Sequence, residues 1–232
     1  MLEARELTVR YGAVPAVQGV SVSVPPAKVV ALLGANGAGK TSTLAAITGL
    51  LPHGGDVRID GEPVNDPATA RARGIVHVPQ GRGLFRRMTV EQNLVLGGFG
   101  QRRRVIDERV REAQARIPEA AAWAGRRVGS LSGGEQALVA LARLVVGAPR
   151  FALLDEPALG LSPVAADRLY EEVARLREDG VGILLVEQYA PRALAIADEA
   201  VVLEHGRVVR EGPPETMGSA EELVATYLEA AR

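Results

Sequence analysis

The sequence predicts an α/β fold in which a mostly parallel core sheet is accompanied by an N-terminal antiparallel β-subdomain and a helical subdomain. Continuous apolar runs joined by helical segments are typical of parallel βαβ units. Those runs end at Leu33, Val78, Leu154 and Val186. Residues 89–147 lack such runs, so we expect one domain over residues 1–232 with a helical subdomain inserted at about 89–147.

The amino-terminal segment alternates apolar and polar residues around residues 7–9 and 20–24. This alternation predicts an antiparallel sheet with one solvated face. The sheet should carry Tyr11, which follows the first of these stretches.

A glycine-rich motif, G-A-N-G-A-G-K-T at residues 34–41, follows the first core run. It fits the phosphate-loop pattern G-x-x-x-x-G-K-[ST], and the preceding strand supports the match. Gly34, Gly37 and Gly39 allow backbone conformations in which successive N–H groups point at phosphate oxygens. The motif therefore predicts a nucleotide phosphate site.

The end of this motif supplies the charge and the first helix. Lys40 would place a cation on the β- and γ-phosphates, and the Thr41 hydroxyl would ligate Mg²⁺. We expect a helix to begin here with Leu44, Ile47 and Leu50 on one side. Its positive dipole end would face the same anion.

Basic and apolar residues alternate in the segment after the second core run. They are Arg82, Leu84, Phe85, Arg86, Arg87 and Met88. An apolar trio among charges could accept a helix from a partner protein, or it could be a solvated loop.

The helical stretch should contain three segments, with breaks near residues 97–100, 118 and 125–129. Arg102, Arg103 and Arg104 open a segment rich in Glu and Arg, where paired surface charges are the usual explanation, and we assign them no role.

The segment L-S-G-G-E-Q at residues 131–136 predicts a capped helix start. Ser132 and Glu135 form a capping-box pattern before an apolar helical stretch. A capped start with two glycines also exposes bare N–H groups that suit a phosphate, so both interpretations hold.

Two carboxylates, Asp155 and Glu156, end the apolar run F-A-L-L. Ligands of open α/β sheets lie at this edge. Asp155 is expected to hold Mg²⁺ through water and Glu156 to polarise the water that attacks the γ-phosphate. The alternative is a solvated strand end that meets Pro157 in a turn.

The C-terminal part predicts a further strand, a hairpin and a helix. The strand at residues 183–186 leads into Glu187, Gln188 and Tyr189. Residues 201–203 and 207–209 would form a hairpin around His205 and Gly206. An amphipathic helix carrying Leu223, Tyr227 and Leu228 should follow.

The composition limits the functional classes. With 47% hydrophobic residues, the chain can form one packed α/β domain with a sizeable core. The absence of cysteine excludes disulfides and thiol catalysis, and His53, His77 and His205 lack ligand spacing. A net charge of −1 gives no global attraction to nucleic acid. No apolar run approaches the length of about 18 residues that a membrane helix needs, and no signal-peptide region opens the chain, so we expect a cytosolic protein.

These motifs, in this order, resemble one family. L-S-G-G-E-Q between a phosphate loop and a D-E pair is similar to the nucleotide-binding subunits of ATP-binding cassette (ABC) transporters, which are P-loop NTPases, and the similarity spans nearly the whole chain. The resemblance implies an ATPase that uses ATP and Mg²⁺. It also implies that Tyr11 stacks on adenine, and that Gln80 senses Mg²⁺ and the γ-phosphate while touching the membrane partner.

The resemblance further implies roles for particular residues. Lys40, Glu156 and Gln188 would be catalytic. Thr41, Gln80 and Asp155 would serve Mg²⁺, Asp155 through water. Phosphate-loop contacts would come from Gly34, Asn36, Gly37, Ala38, Gly39, Lys40, Thr41 and Ser42.

The signature residues would act in trans. The resemblance implies that Ser132, Gly133, Gly134 and Glu135 of one subunit contact the ATP held by the phosphate loop of another, so catalysis requires a dimer. Residues 158–162 match the loop that crosses that interface.

One position departs from the family pattern. Gln188 stands where most members carry a histidine that contacts the γ-phosphate. Its amide can donate a hydrogen bond but cannot become an imidazolium. The substitution indicates either a site that turns over slowly or a subfamily in which glutamine serves the role; we favour the second because Lys40, Thr41, Asp155 and Glu156 are intact.

Longer strings, among them L-F-R-R-M-T-V-E-Q-N-L and D-E-P-A-L-G-L-S-P, are similar to the second ATPase of branched-chain amino acid importers and to a urea-importer ATPase. This resemblance implies a dimer with a sister ATPase or a second copy, two membrane permeases contacted near residues 80–88, and an external solute-binding protein. The chain would then lie peripherally on the inner face of the membrane. Two other hypotheses are a soluble ABC-type ATPase such as an assembly factor, and a nucleotide-gated partner in which Gln188 has silenced hydrolysis.

Overall fold

The structure, a computed structural model, describes residues 1–188 and 190–218. The strands are β1 (Leu2–Tyr11), β2 (Val14–Val24), β3 (Val29–Leu33), β4 (Gly54–Ile59), β5 (Glu62–Pro63), β6 (Ile75–Val78), β7 (Phe151–Asp155), β8 (Gly182–Glu187), β9 (Glu199–Glu204) and β10 (Arg207–Gly212). The α-helices are α1 (Lys40–Ile47), α2 (Pro67–Ala72), α3 (Val90–Gly97), α4 (Arg103–Arg116), α5 (Pro118–Ala122), α6 (Gly133–Val146), α7 (Pro163–Glu178) and α8 (Ala190–Ile196).

The core sheet has six strands in the order β10-β9-β3-β8-β7-β6. All neighbouring pairs from β9 to β6 are parallel, and β10 runs antiparallel to β9. The predicted mostly parallel core is confirmed. Strand β8 lies between β3 and β7, so the segments that follow these three strands meet at one edge of the sheet.

Strand β3 is buried on both faces and shows how the core is divided. Val29, Ala31 and Leu33 pack into a cluster with the helices that follow β6 and β7. Val30 and Leu32 pack into a second cluster with α1 and the amino-terminal sheet. This alternation follows from the two-residue period of a strand, and it explains why β3 is apolar throughout.

The amino-terminal sheet is antiparallel, as the sequence predicts, and has four strands in the order β2-β1-β4-β5. Strands β1 and β2 pair along their length, with Tyr11 opposite Val14 at the hairpin end. The additional strands β4 and β5 were not anticipated, because the alternation in β4 covers only residues 56–59 and β5 has only two residues.

Helix α1 is shorter than expected. The Thr48 hydroxyl donates to the carbonyl of Leu44 at 2.9 Å, and Gly49 turns the chain with φ 70°. The expectation that Leu50 shares the buried side of this helix was wrong, since Leu50 lies beyond the end of the helix and is 58% exposed.

The chain between β6 and β7 contains α3, α4, α5 and α6, one helix more than expected. Pro118 begins the short helix α5 and does not simply interrupt a longer one, since its fixed φ suits a first helical turn. Buried Glu172 on α7 accepts hydrogen bonds from Arg116 of α4 at 3.4 Å and from Arg175 at 2.7 Å. This ion-pair group connects the inserted helices to the core.

The predicted hairpin is present as β9 and β10, whose turn residues His205 and Gly206 have φ 47° and 76°. Positive φ at both turn positions matches the right-handed twist of a two-residue hairpin. The predicted helix with Leu223, Tyr227 and Leu228 lies outside the described residues. Within residues 1–188 and 190–218, no helix is both long enough and apolar enough to span a membrane.

His77 on β6 is largely buried, and among the described residues its Nε2 atom has no hydrogen-bond partner. Burial lowers the pKa of His77 from 6.5 to about 4, because the charged imidazolium loses its hydration. In the unfolded chain the ring takes up its proton near pH 6.5, so the folded state loses stability as the pH falls from 6.5 toward 4.

We expect His77→Leu to remove this loss of folding stability at low pH. For His77 the loss is on the order of 2 to 3 kcal/mol, because proton binding is linked to unfolding. Urea unfolding at pH 7 and pH 4.5 measures the difference. The control is His205→Asn, which alters an exposed histidine and keeps a residue that tolerates positive φ. Equal pH dependence of wild type and His77→Leu would contradict the prediction.

Candidate functional site

The loop between β3 and α1 contains glycines in backbone conformations that other residues rarely adopt. Gly37 and Gly39 have φ 84° and 103°, and Gly39 is the residue before the first turn of α1. A Cβ atom at Gly39 would lie 2.4 Å from the carbonyl oxygen of Ala16 on β2. The N–H of Gly206 donates to the carbonyl of Ala38 at 3.0 Å. The loop is therefore held between the two sheets at the amino-terminal end of a helix.

Lys40 is 5% exposed and folds back over this loop. Its Nζ atom donates to the carbonyls of Gly34 at 2.8 Å and Ala35 at 3.0 Å. The same atom lies 3.4 Å from Oε1 of Glu156. A buried ammonium group therefore stands between the glycine loop and the end of β7.

Thr41 joins the loop to the carboxylate at the end of β7. Its hydroxyl donates to Oδ2 of Asp155 at 2.9 Å. The other oxygen, Oδ1, is buried and has no partner among the described residues, and burial raises the pKa of Asp155. An unpaired buried carboxylate oxygen is costly unless a cation or donor reaches it.

Glu156 faces the same space from an unusual backbone conformation, with φ 47°. Its Oε2 atom accepts a hydrogen bond from Nε2 of Gln80 at 2.8 Å, and it is 7% exposed. A non-glycine residue in the left-handed region costs on the order of 1 to 3 kcal/mol and is typical of functional sites. The conformation turns Glu156 away from Asp155, so the two carboxylates have different partners.

Lys40, Thr41 and Glu156 line one cleft of about 330 Å³, whereas Asp155 is not among its lining residues. Tyr11 lies at its rim, 55% exposed, with its hydroxyl 3.3 Å from that of Ser42. The cleft is lined by Tyr11, Ala16, Asn36, Gly37, Gly39, Lys40, Thr41, Ser42, Gln80 and Glu156. The structure thus brings together most of the residues that the sequence singled out.

Gln188 follows β8 at the same edge, and its side chain is exposed. Leu33 pairs with Glu187, so Gln188 lies next to the start of the glycine loop.

Glu187 was not recognised from the sequence, although an acid at the end of a fully buried strand is a usable signal. It is 5% exposed, and its Oε1 accepts from the Tyr170 hydroxyl at 2.9 Å and from the Ala158 N–H at 3.4 Å. Burial raises the pKa of Glu187 to about 7, the hydrogen bonds from Tyr170 and Ala158 oppose this shift, and the charge of Glu156 adds to it.

The L-S-G-G-E-Q segment lies apart from this cleft. Ser132 caps α6, and the predicted capping box is present: the Ser132 N–H donates to Glu135 at 2.7 Å and the Glu135 N–H donates to Ser132 at 3.3 Å. Ser132 and Gly133 are exposed. Within one chain, Ser132, Gly133, Gly134 and Glu135 do not line the cleft that holds Lys40.

The apolar trio after Gln80 is not uniformly exposed. Leu84 packs against the core, whereas Phe85 is 55% exposed. Asn93, fully buried on α3, accepts from the Phe85 N–H at 2.8 Å and donates to the Phe85 carbonyl at 3.1 Å. The backbone is therefore fixed while the ring faces outward.

The ABC transporter family model matches residues 17–159. The chain is 39% identical over 212 residues to the high-affinity branched-chain amino acid transport ATP-binding protein BraG of Pseudomonas aeruginosa, covering 90% of this chain and 91% of that protein. It is 34% identical over 238 residues to the lipopolysaccharide export system ATP-binding protein LptB of Haemophilus influenzae, covering 98% and 97%.

Solved structures agree with these sequence matches. The ADP conformation of MJ1267, an ATP-binding cassette of an ABC transporter, superimposes with a TM-score of 0.87 at 26% identity and 98% coverage of both chains. A dimeric structure of MJ0796, a bacterial ABC transporter cassette, gives a TM-score of 0.82 at 25% identity, covering 92% of this chain and 99% of that one.

Two glycine substitutions test how tightly the loop is built. Gly37→Ala meets no atom within 4 Å, so it should cost only the strain of positive φ, about 1 to 2 kcal/mol. Gly39→Ala adds a clash with the β2 backbone, so we expect a larger loss of both thermal stability and ATP affinity. Calorimetric titration with ATP and thermal melting measure both variants, and equal losses would contradict the geometry.

Proposed function

The chain belongs to the ABC transporter family as an ATP-binding subunit that hydrolyses ATP, and from that premise we propose that it energises a membrane importer whose solutes are branched-chain amino acids. The observation that carries the catalytic part is the convergence of two buried acids on the phosphate loop. The Thr41 hydroxyl lies 2.9 Å from Asp155, and the Lys40 ammonium lies 3.4 Å from Glu156.

The phosphate groups of ATP would lie along the glycine loop. Backbone N–H groups of residues 34–41 and the amino-terminal end of α1 stabilise the negative charge, and Lys40 adds a cation. The Tyr11 ring, exposed at the rim of the cleft, would stack on adenine.

The residues around Asp155 fit a magnesium ion. Its Oδ1 is buried and has no partner within residues 1–188 and 190–218, and Thr41 and Gln80 bring further oxygen atoms to the adjoining cleft. An ion of this kind is bound mainly by phosphate oxygens and water, so it needs few protein ligands. When bound, Mg²⁺ neutralises charge on the phosphate oxygens.

Glu156 would act as the general base. Its carboxylate sits beside Lys40 and Gln80, within reach of water next to the γ-phosphate. Gln80 holds one carboxylate oxygen, so the other is oriented toward the phosphate loop. Gln188, exposed at the end of β8, would donate an amide hydrogen bond to the γ-phosphate.

The signature helix would complete the site of a second subunit. Ser132 and Gly133 are exposed and lie outside the cleft of their own chain, which supports action in trans. The partner would be a sister ATPase or a second copy of this chain. Residues 89–147 would form the inserted helical subdomain that carries this signature.

Residues 80–88 would contact the permeases. Phe85 projects from a backbone fixed by Asn93, and Gln80 at the start of the segment touches Glu156. Because Gln80 and Phe85 are only five residues apart, closure of the ATP site at Gln80 would move the segment that contacts the membrane partner. The chain would lie on the inner face of the membrane, below two permeases fed by an external solute-binding protein.

The solute class rests on similarity to BraG. Similarity to LptB makes lipopolysaccharide export a second candidate. Urea uptake and a soluble assembly role are further outcomes that the transport test below separates.

We expect Glu156→Gln to trap an ATP-loaded dimer. The amide keeps the shape of the side chain but cannot accept a proton, so turnover should fall by about 100-fold or more. Light scattering after size exclusion with MgATP measures the dimer, and phosphate release measures turnover.

Lys40→Ala is the matched control, since it should lose ATP binding and form no ATP-dependent dimer. Turnover near the wild-type rate in Glu156→Gln would contradict its role as base.

Solute coupling is tested with the chain and its permeases in liposomes. Solute-binding protein loaded with leucine, isoleucine or valine should stimulate ATP hydrolysis, whereas urea should not. We expect Phe85→Ser to reduce this stimulation by about 30-fold, since truncating a central interface aromatic costs on the order of 2 kcal/mol. Phe99→Ser, at a phenylalanine that is 74% exposed outside residues 80–88, is the control. Stimulation by urea alone would reject the branched-chain amino acid assignment, and no stimulation by any solute would reject the importer assignment.

A further inference from the structure

Glu187 ends β8 as a buried acid that the mechanism above does not use. One oxygen, Oε1, accepts both of its hydrogen bonds, from the Tyr170 hydroxyl at 2.9 Å and from the Ala158 N–H at 3.4 Å. Tyr170 is itself buried on α7, so it fixes the carboxyl from one side. The carboxyl therefore connects α7, β8 and the loop after β7.

The loop in question, residues 158–162, begins two residues after Glu156. Its backbone is also held at the next residue, because Nη2 of Arg82 donates to the Leu159 carbonyl at 3.3 Å. The Leu159 side chain is 54% exposed. The loop thus presents an apolar side chain to the outside while hydrogen bonds from two elements fix its main chain.

An acid at this position is costly for folding. The other residues of β8 are apolar or glycine, and an apolar residue would fill the strand end without the desolvation of a carboxyl group. That desolvation is the main reason that the pKa of Glu187 is raised to about 7, and the nearby charge of Glu156 raises the pKa further. Toward the proposed dimer face, Glu187 is linked by the hydrogen bond that it accepts from the Ala158 N–H.

We propose that Glu187 is a positioning residue for ATP hydrolysis, whose acceptor oxygen anchors the Ala158 N–H and so sets the path of residues 158–162 and the backbone direction at Glu156. The inference rests on the proposed dimer, because the loop matters for turnover only if it meets a second subunit. The group needed is an acceptor oxygen, not a charge.

The test compares Glu187→Gln, which keeps an acceptor oxygen, with Glu187→Ala, which removes it. Glu178→Ala changes an exposed acid on α7 and is the control. For each variant we would measure kcat and KM for ATP with the same partner subunit, ATP-dependent dimerisation, and equilibrium ATP binding to the isolated chain.

We expect kcat of Glu187→Ala to fall by about tenfold, as small misplacements near a reaction centre do, with ATP affinity of the isolated chain unchanged. Glu187→Gln should retain at least about half of the wild-type kcat because the acceptor remains. Tyr170→Phe, which frees the carboxyl while keeping the packing, should lie between the two.

Wild-type kcat in Glu187→Ala, equal losses in Glu187→Ala and Glu187→Gln, or a parallel loss of ATP affinity would each overturn the proposal. If Glu187→Ala lacks a cooperative melt, Tyr170→Phe decides, and wild-type kcat in that variant overturns it. A wild-type chain that neither dimerises nor hydrolyses ATP with its partner would remove the proposed function itself, which is a separate result.

Discussion

The position of β8 between β3 and β7 is the constraint on which the site depends. Adjacent strands are about 4.8 Å apart, so the phosphate loop after β3 and the acids after β7 are separated by two such spacings. Only long or well-placed side chains close that gap: Lys40 reaches Glu156, and Thr41 reaches Asp155. The end of β8 lies between the phosphate loop and the acids after β7, so a residue there is close to both.

Burial and charge act together at this edge. Lys40, Asp155 and Glu156 are all nearly inaccessible, so each charged group needs a partner of the opposite sign or a complementary hydrogen-bond partner. Lys40 is supplied with carbonyl oxygens and a carboxylate, and Glu156 with an amide and an ammonium group. Asp155 keeps one oxygen without a partner in the part of the chain that the structure describes, and on that ground we assign the proposed cation to this acid and not to Glu156. The two neighbouring carboxylates thus have different partners, and we propose different roles for them for that reason.

Sequence patterns predicted the parallel core, the antiparallel sheet and the hairpin because each has a strong period or a diagnostic turn. They failed where local pattern and tertiary context differ: Leu50 continues the helical period of α1, yet Gly49 ends the turn before it. Phosphate-loop and carboxylate residues could be identified because their chemistry is encoded in contiguous motifs. Glu187 was missed: an acid at the end of a buried strand is a signal of its own, but its partners Tyr170 and Ala158 are distant in sequence and meet it only in the folded chain.

The same geometry explains how an exposed surface can respond to a buried site. Gln80 contacts Glu156 with its side chain, and Arg82, two residues later, contacts the carbonyl of Leu159. Arg143 on the signature helix donates to the carbonyls of Arg82 and Gly83. A shift of the segment after Gln80 would therefore move hydrogen bonds to residues 158–162 and to α6 at the same time. Because these bonds are made to backbone atoms, the coupling depends on the path of the main chain and tolerates many side chains at the surface.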